Sequence, residues 1–306
     1  MDRMELVVVG AGPAGMTAAI YAARGGLSTV VYDKGVPGGL VASTDRIENY
    51  PGVEPLSGFE LASRMRKQAE SFGARFVSGE LKSIKKQDAI FSMDFSREKV
   101  ESEAVIFAAG SVPKKLGVDG EERLTGRGVS YCATCDGPFF RGKDIAVVGC
   151  GSSGLQEGLF LLGFVHSITY IEFLPYITGE KILYERNREK GNVSFLLNHK
   201  VVRIDGENSV ESIVAMDRET GEEKRIPVGG VFIYIGFLPA SGPVVGLVEC
   251  DKDGYIITDE SMATSTPGLF AAGDIRKKPL RQVVTAASDG ASAAFSAIEY
   301  IKEFGK

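Results

Sequence analysis

Gly10-Ala11-Gly12-Pro13-Ala14-Gly15 and Gly149-Cys150-Gly151-Ser152-Ser153-Gly154 are one pattern written twice, 139 residues apart. Each follows a β-branched apolar run, Leu6 to Val9 and Ile145 to Val148, and each passes into a helical pattern. At the same offset a carboxylate, Asp33 and then Glu172, follows the next strand pattern. The first glycine permits the tight turn and the second lets backbone approach a pyrophosphate. The third lets helix pack on strand, and the carboxylate is placed to accept a ribose hydroxyl. Pro13 suits a first helical turn. With 38 glycines in 306 residues, one such motif is expected about 0.6 times by chance, so a single copy says little. Two copies, with matching strands and carboxylates, say much more.

A second echo supports duplication. Val105 to Pro113 and Val231 to Pro239 are apolar runs that both end in Gly-x-x-Pro, a strand broken at the edge of a nucleotide-binding unit. The expected fold class is therefore α/β, with two Rossmann-like dinucleotide-binding domains, the second inserted into the first. The outer domain spans 1–113 and 242–306 and the inserted one 114–241, with Ser241-Gly242-Pro243 as the returning linker. Phe59, Ala62, Met65, Ala69 and Phe72 form the core stripe of a helix, and Arg75 to Val100 reads as a small antiparallel sheet. Gly254 to Thr258 and Gly268 to Ala272 read as strands. Asp274 is placed to bind a ribityl or sugar hydroxyl. The small residues after Arg281 open a helix with room for a flat ring.

The chemistry centres on Ser130-Tyr131-Cys132-Ala133-Thr134-Cys135-Asp136-Gly137. Cysteines two residues apart can close a disulfide ring, and the adjoining carboxylate can deliver or accept the proton that thiol chemistry needs. A closed zinc site wants four ligands. Cys150, Cys250, His166 and His199 fall at no ligand spacing, so no metal is expected. Met1 to Met4 carries no basic leader, and no apolar run is long enough to span a bilayer. A cytoplasmic location follows as the expectation, where a close cysteine pair cycles rather than staples. A net charge of -5 without a long basic run argues against nucleic acid.

Together these segments resemble the low-molecular-weight thioredoxin reductases. The resemblance covers nearly the whole chain: the first glycine motif, Glu48-Asn49-Tyr50-Pro51-Gly52, Cys132 to Gly137, Gly273-Asp274 and Arg281-Gln282. It implies a homodimeric FAD enzyme in which reduced flavin reduces the Cys132/Cys135 pair and the dithiol reduces thioredoxin or a thioredoxin-like protein. By the same resemblance, Cys135 faces the flavin, Cys132 attacks the partner's disulfide and Asp136 is the acid-base group. FAD contacts are then expected from Gly10, Gly12, Pro13, Ala14, Gly15, Asp33, Gly39, Leu40, Asn49, Ala109, Gly110, Gly273, Asp274, Arg281, Gln282 and Val283. Gly149, Gly151, Gly154 and Glu172 are expected to line the nicotinamide-dinucleotide site. Members of this family rotate the inserted domain to present the cysteines alternately.

The chain departs from the family at that second site. Family members using NADPH carry a basic cluster, H-R-R-x-x-x-R, because a 2′-phosphate needs cationic, bidentate partners. Here the stretch is Glu172-Phe173-Leu174-Pro175-Tyr176-Ile177-Thr178. NADPH is thus disfavoured and NADH permitted, with a ferredoxin-type or deazaflavin donor as the alternative. Gly154 stands where Ala is usual, and Gln156-Glu157 where an acidic pair is usual. Two rival readings stay open: a reductase dedicated to a peroxiredoxin or glutaredoxin-like partner, and a non-catalytic flavin-binding redox sensor.

Overall fold

In the computed structural model, which describes residues 3–304, the chain divides into two compact units. One comprises Met1–Val112 with Leu238–Lys306, and the other Pro113–Phe237. The extreme ends of the expected outer domain, Met1, Asp2, Gly305 and Lys306, lie outside the described residues.

The outer unit is built on a parallel sheet. Strands β1 (Arg3–Val9), β2 (Thr29–Asp33) and β3 (Arg75–Ser78) lie side by side, joined by helices α1 (Pro13–Arg24) and α2 (Gly58–Ser71). β4 (Leu81–Gln87) and β5 (Ile90–Phe95) form an antiparallel meander with the start of β6 (Lys99–Phe107), whose far end pairs in parallel with β1. The segment from Arg75 onward is thus not one antiparallel sheet. Its first strand is the parallel edge, because α2 crosses over and returns the chain in the original direction. Val7, Val8, Val30, Val31, Val105 and Ile106 are at most 1 % exposed, buried on both faces as a helix-covered parallel sheet requires. Burying each such side chain contributes about 1.5–3 kcal/mol.

Helix α2 starts at Ser57, whose hydroxyl accepts the Glu60 N–H at 3.1 Å, an ordinary N-cap worth about 1 kcal/mol. Its stripe buries Ala62, Met65 and Ala69, but Phe59 and Phe72 are exposed. They stand at the two ends of the stripe, and the Arg24 guanidinium lies over the Phe72 ring.

The chain crosses into the second unit through β7 (Ser111–Pro113). There β8 (Val129–Ser130), β9 (Asp144–Val148), β10 (Ser167–Ile171) and β11 (Val193–Leu196) belong to a five-stranded parallel sheet. Its helical pieces are α3 (Glu121–Leu124), α4 (Ala133–Asp136), α5 (Ser152–Leu161) and α6 (Lys181–Glu189). A separate antiparallel sheet follows, from β12 (His199–Asp205), β13 (Ser212–Asp217) and β14 (Glu223–Pro227). β15 (Val231–Ile233) then inserts between β9 and β8, giving the order β11-β10-β9-β15-β8.

β16 (Phe237–Pro239) leads back to the outer unit, where β17 (Leu269–Ala271) joins the parallel sheet beside β6 and α7 (Val283–Phe304) closes the fold. α7 packs on α1 through Gly290, where an added Cβ would lie 2.1 Å from the Ala14 carbonyl oxygen. Gly254 to Thr258 is not a regular strand: Ile256 alone bridges, to Cys250 on one side and Arg276 on the other. Among the described residues no helix is long and apolar enough to cross a membrane.

Candidate active site

Four parallel strands of the outer unit end at one sheet edge, and the expected cofactor residues follow those ends. Gly10 follows β1, Asp33 ends β2, Ala109 and Gly110 follow β6, and Gly273 and Asp274 follow β17. The carboxyl edge of such a sheet is where ligands bind. Gly10 has φ +105°, and a Cβ there would sit 2.3 Å from the Ala108 oxygen. A Cβ on Gly15 would sit 1.8 Å from the Gly10 oxygen, so the start of α1 rests directly on the turn. Gly12, the N-cap of α1, has nothing within 4 Å of its would-be Cβ. That is the open cradle a pyrophosphate needs at a helix N-terminus. Pro13 and Ala14 open α1 itself.

Asp33 does two backbone jobs: Oδ2 accepts the Ala11 N–H at 2.6 Å, and Oδ1 accepts the Gly35 N–H at 2.7 Å. The Gly38 N–H donates to the Ala11 oxygen, and Gly39 brings the next turn over Gly12, with its would-be Cβ 3.3 Å from the Gly12 Cα. Leu40 is exposed on that turn. Asn49 Nδ2 donates to Gln282 Oε1 at 3.2 Å, joining the Glu48-to-Gly52 loop to the entry of α7. Val283 packs with Met16 and Val41. The Arg281 guanidinium lies 3.9 Å from the Tyr255 ring centroid, and its Nε is buried without a hydrogen-bond partner.

Asp274 Oδ1 is likewise buried and makes no hydrogen bond; Lys278 Nζ is 3.8 Å away. Desolvation raises this carboxyl above the usual carboxylate range, against the pull of Lys278 and Arg281. Lys278 and Asp289 are 7 % and 9 % exposed and pair at 2.9 Å. Asp289 also holds Arg276 at 3.0 Å and accepts the Gly273 N–H at 3.0 Å. Nothing in the sequence reading anticipates Arg276, Lys278 and Asp289; the signal available is three charges flanking Gly273-Asp274, one of them inside an Ala-rich helix. An open glycine cradle, an orphaned carboxylate oxygen and an orphaned guanidinium Nε fit a flavin dinucleotide with polyol and phosphate groups.

The inserted unit repeats the scheme. Gly149 has φ +103° with a would-be Cβ 2.2 Å from the Tyr234 oxygen, and that of Gly154 would lie 2.1 Å from the Gly149 oxygen. A Cβ on Gly151 would meet only Thr178 Oγ1 within 4 Å, at 3.8 Å. Glu172, 7 % exposed, accepts the Cys150 N–H at 2.6 Å through Oε2 and the Leu174 N–H at 3.0 Å through Oε1. Burial, helped by the Glu172 charge, pushes the Cys150 thiol up to about 12, so it is an inert packing residue. One cation does reach this loop. Arg218 lies 3.7 Å from the Phe173 ring centroid and spends NH1 on the Phe173 oxygen and on Asn198 Oδ1. It comes from the turn after β13, 45 residues along the chain.

At the same carboxyl edge, β8 delivers the cysteine segment. Cys132 and Cys135 are joined as a disulfide with their Cα atoms 5.4 Å apart, Cys132 half-buried and Cys135 exposed. The Cys135 N–H donates to Cys132 Sγ at 3.2 Å, a contact that favours a thiolate there once the bond opens. Asp136 accepts from Ser130 Oγ at 2.6 Å. Tyr234, which follows β15, lies between the glycine loop's strand and β8 in strand order. Burial raises its phenol, the Glu157 and Asp136 charges add to the rise, and the Ala133 N–H opposes it. Cys150 is buried and unpaired and Cys250 half-buried and unpaired. No group of three or more metal-binding side chains occurs among the described residues.

The sequence family described as pyridine nucleotide-disulphide oxidoreductase matches residues 4–290. The thioredoxin reductase of Bacillus subtilis is 44 % identical over 300 residues, covering 98 % of this chain and 95 % of that protein. The crystal structure of Lactococcus lactis thioredoxin reductase superposes with a TM-score of 0.96 at 37 % identity, covering 98 % of this chain and 100 % of the other. The crystal structure of T. acidophilum thioredoxin reductase gives a TM-score of 0.94 at 37 % identity, covering 98 % of this chain and 99 % of that one.

Proposed function

Because this chain belongs to the pyridine nucleotide-disulphide oxidoreductases, and within them to the thioredoxin reductases, we propose that it is an FAD-dependent disulfide reductase whose dithiol reduces thioredoxin or a thioredoxin-like protein. The observation that carries this reading is the Cys132–Cys135 disulfide beside Asp136, at the same sheet edge as the second glycine loop.

In this reading the outer unit holds FAD. Gly10, Gly12, Pro13, Ala14 and Gly15 cradle the pyrophosphate. Asp33 faces the adenosine ribose, and Asp274 accepts from the ribityl chain. Gly39, Leu40, Asn49, Ala109, Gly110, Gly273, Arg281, Gln282 and Val283 line the rest. When bound and reduced by the donor, FAD would supply the two electrons that open the disulfide. Cys132, as thiolate, attacks the partner's disulfide, forming a mixed disulfide and releasing one partner sulfur. Cys135 then attacks Cys132 Sγ, re-forms the ring and releases the second sulfur, while Asp136 moves protons to the departing thiolates.

Gly149, Gly151, Gly154 and Glu172 form the donor site. Glu172 and the apolar Phe173-Leu174 pair disfavour a 2′-phosphate, so the donor is NADH or a non-nicotinamide donor such as ferredoxin or a reduced deazaflavin. The active form is a cytoplasmic homodimer. Anaerobic turnover with thioredoxin tests the whole reading: many equivalents of dithiol per flavin are expected. One equivalent and then arrest would replace the enzyme with a redox sensor.

A further inference from the structure

Ser130 is 3 % exposed and is the last residue of β8, where it pairs with Phe232 of β15. Its position is therefore set by the sheet rather than by the redox loop. From there its Oγ donates to Asp136 Oδ2 at 2.6 Å and accepts the Cys132 N–H at 3.0 Å. The Asp136 N–H in turn donates to the Cys132 oxygen at 3.2 Å. One hydroxyl thus ties the carboxylate and the first cysteine to a common rigid strand. The Cys132 oxygen also lies 3.2 Å from Ser130 Oγ. A hydroxyl has a single proton, and the shorter, charge-assisted bond to Asp136 is the stronger claimant.

We infer that Ser130 is a positioning residue for the thiol–disulfide exchange, holding the Asp136 carboxylate in register with Cys132 so that protons pass between that carboxylate and the sulfurs. The inference rests on the reductase reading above. In the exchange, the two thiols of Cys132 and Cys135 become a disulfide and the partner's disulfide becomes two thiols. Two electrons and two protons leave this chain for the partner. Asp136 handles those protons only if it stays within reach of both sulfurs, and in this structure its one side-chain anchor among the described hydrogen bonds is Ser130. Misplacing such a group by about 1 Å can cost on the order of 100-fold in rate.

The test is a double-mutant cycle on the FAD-loaded enzyme, with thioredoxin reduction and the melting temperature both measured. Ser130→Ala is expected to lower turnover roughly 10- to 100-fold, and Ser130→Thr, which keeps the hydroxyl, to restore most of it. In an Asp136→Asn background, Ser130→Ala is expected to add less than about a twofold further loss, because residues acting as a unit are not additive. Losses that multiply, a fully active Ser130→Ala enzyme, or a Ser130→Thr enzyme as slow as Ser130→Ala would each overturn the inference. Should Ser130→Ala fail to fold, the Thr variant alone decides, since a folded but slow enzyme with the hydroxyl in place contradicts the role. Wild-type enzyme without turnover would instead refute the reductase reading itself.

Discussion

Glu172 Oε2 accepts the Cys150 N–H at 2.6 Å, and in the other unit Asp33 Oδ2 makes the equivalent bond to the Ala11 N–H at the same length. Each carboxylate spends its second oxygen on the N–H two residues further along, Leu174 and Gly35. The acid that follows the second strand therefore locks the glycine turn before it meets any ligand. In the inserted unit that lock buries the Glu172 carboxylate, which on the proposed donor-site reading faces the ribose end of the nucleotide. Arg218, the cation that reaches this loop, has NH1 committed to Phe173 and Asn198 and lies against the Phe173 ring. NADH is expected to bleach the bound flavin at least about tenfold faster than NADPH, since bidentate cationic partners are the phosphate's requirement. Converting Phe173 and Leu174 together to Arg should move that ratio toward NADPH. Anaerobic stopped-flow absorbance with each nucleotide checks both statements, and rapid NADPH oxidation by the unaltered enzyme would defeat them.

Cys135→Ser removes the sulfur proposed to resolve the mixed disulfide and leaves Cys132 with the residue-135 N–H donor intact, since that contact comes from backbone. The variant should bind FAD at the wild-type ratio and pass no electrons to thioredoxin. It should also accumulate a mixed disulfide between Cys132 and the partner, because nothing expels it. Non-reducing electrophoresis and mass spectrometry read the adduct. Adduct formation by Cys132→Ser in place of Cys135→Ser would reverse the assignment of the two sulfurs.

Gly15→Ala asks the first turn to accept a Cβ 1.8 Å from the Gly10 carbonyl oxygen, a distance no real Cβ keeps. Backbone must move, and it is the backbone that shapes the Gly12 cradle. We expect a loss of roughly 1–3 kcal/mol in stability, as for other overpacked sites, and a purified protein with substoichiometric flavin. The ratio of flavin to protein absorbance gives the answer; a fully loaded, equally stable variant would mean the helix start is free to shift.

The fold class was readable because its determinants are local. A glycine with φ near +100°, a β-branched run before it and a carboxylate after the next strand all sit within one strand-helix-strand stretch, and they recur as Gly10 and Gly149, Asp33 and Glu172. What escaped was made by distance. Asp289 reaches Arg276 and Lys278 across a turn of α7's entry, and Arg218 reaches Phe173 from another sheet. Ile256 alternates like a strand residue, yet finds only single bridges, to Cys250 and to Arg276. Ser130 is a different case: its bonds to Cys132 and Asp136 are local, and a serine two residues before the cysteine is an open hint of a side-chain-to-backbone turn.

Asp274 gives the sharpest pH test. Its carboxyl is held above the usual range chiefly by desolvation, with Asp289 adding and Lys278 and Arg281 opposing. For a carboxyl raised in the folded state, the stabilising contribution is complete below the unfolded value and is lost as pH rises through the folded one. As pH rises, burying the charged form of Asp274 therefore costs the FAD-free protein stability, and its Oδ1, 3.8 Å from Lys278 Nζ, makes no hydrogen bond. FAD-free Asp274→Asn should melt above FAD-free wild type at neutral pH, with the gap closing as pH falls into the carboxylate range. With FAD the order should invert, because the amide loses the charge-assisted acceptor, and the variant should hold flavin about tenfold or more weakly. Calorimetric melts of both forms across pH, with a flavin fluorescence titration, decide it. A gap that stays constant with pH would show that the carboxylate is not ionised against burial, and unchanged flavin affinity would remove Asp274 from the cofactor's contacts.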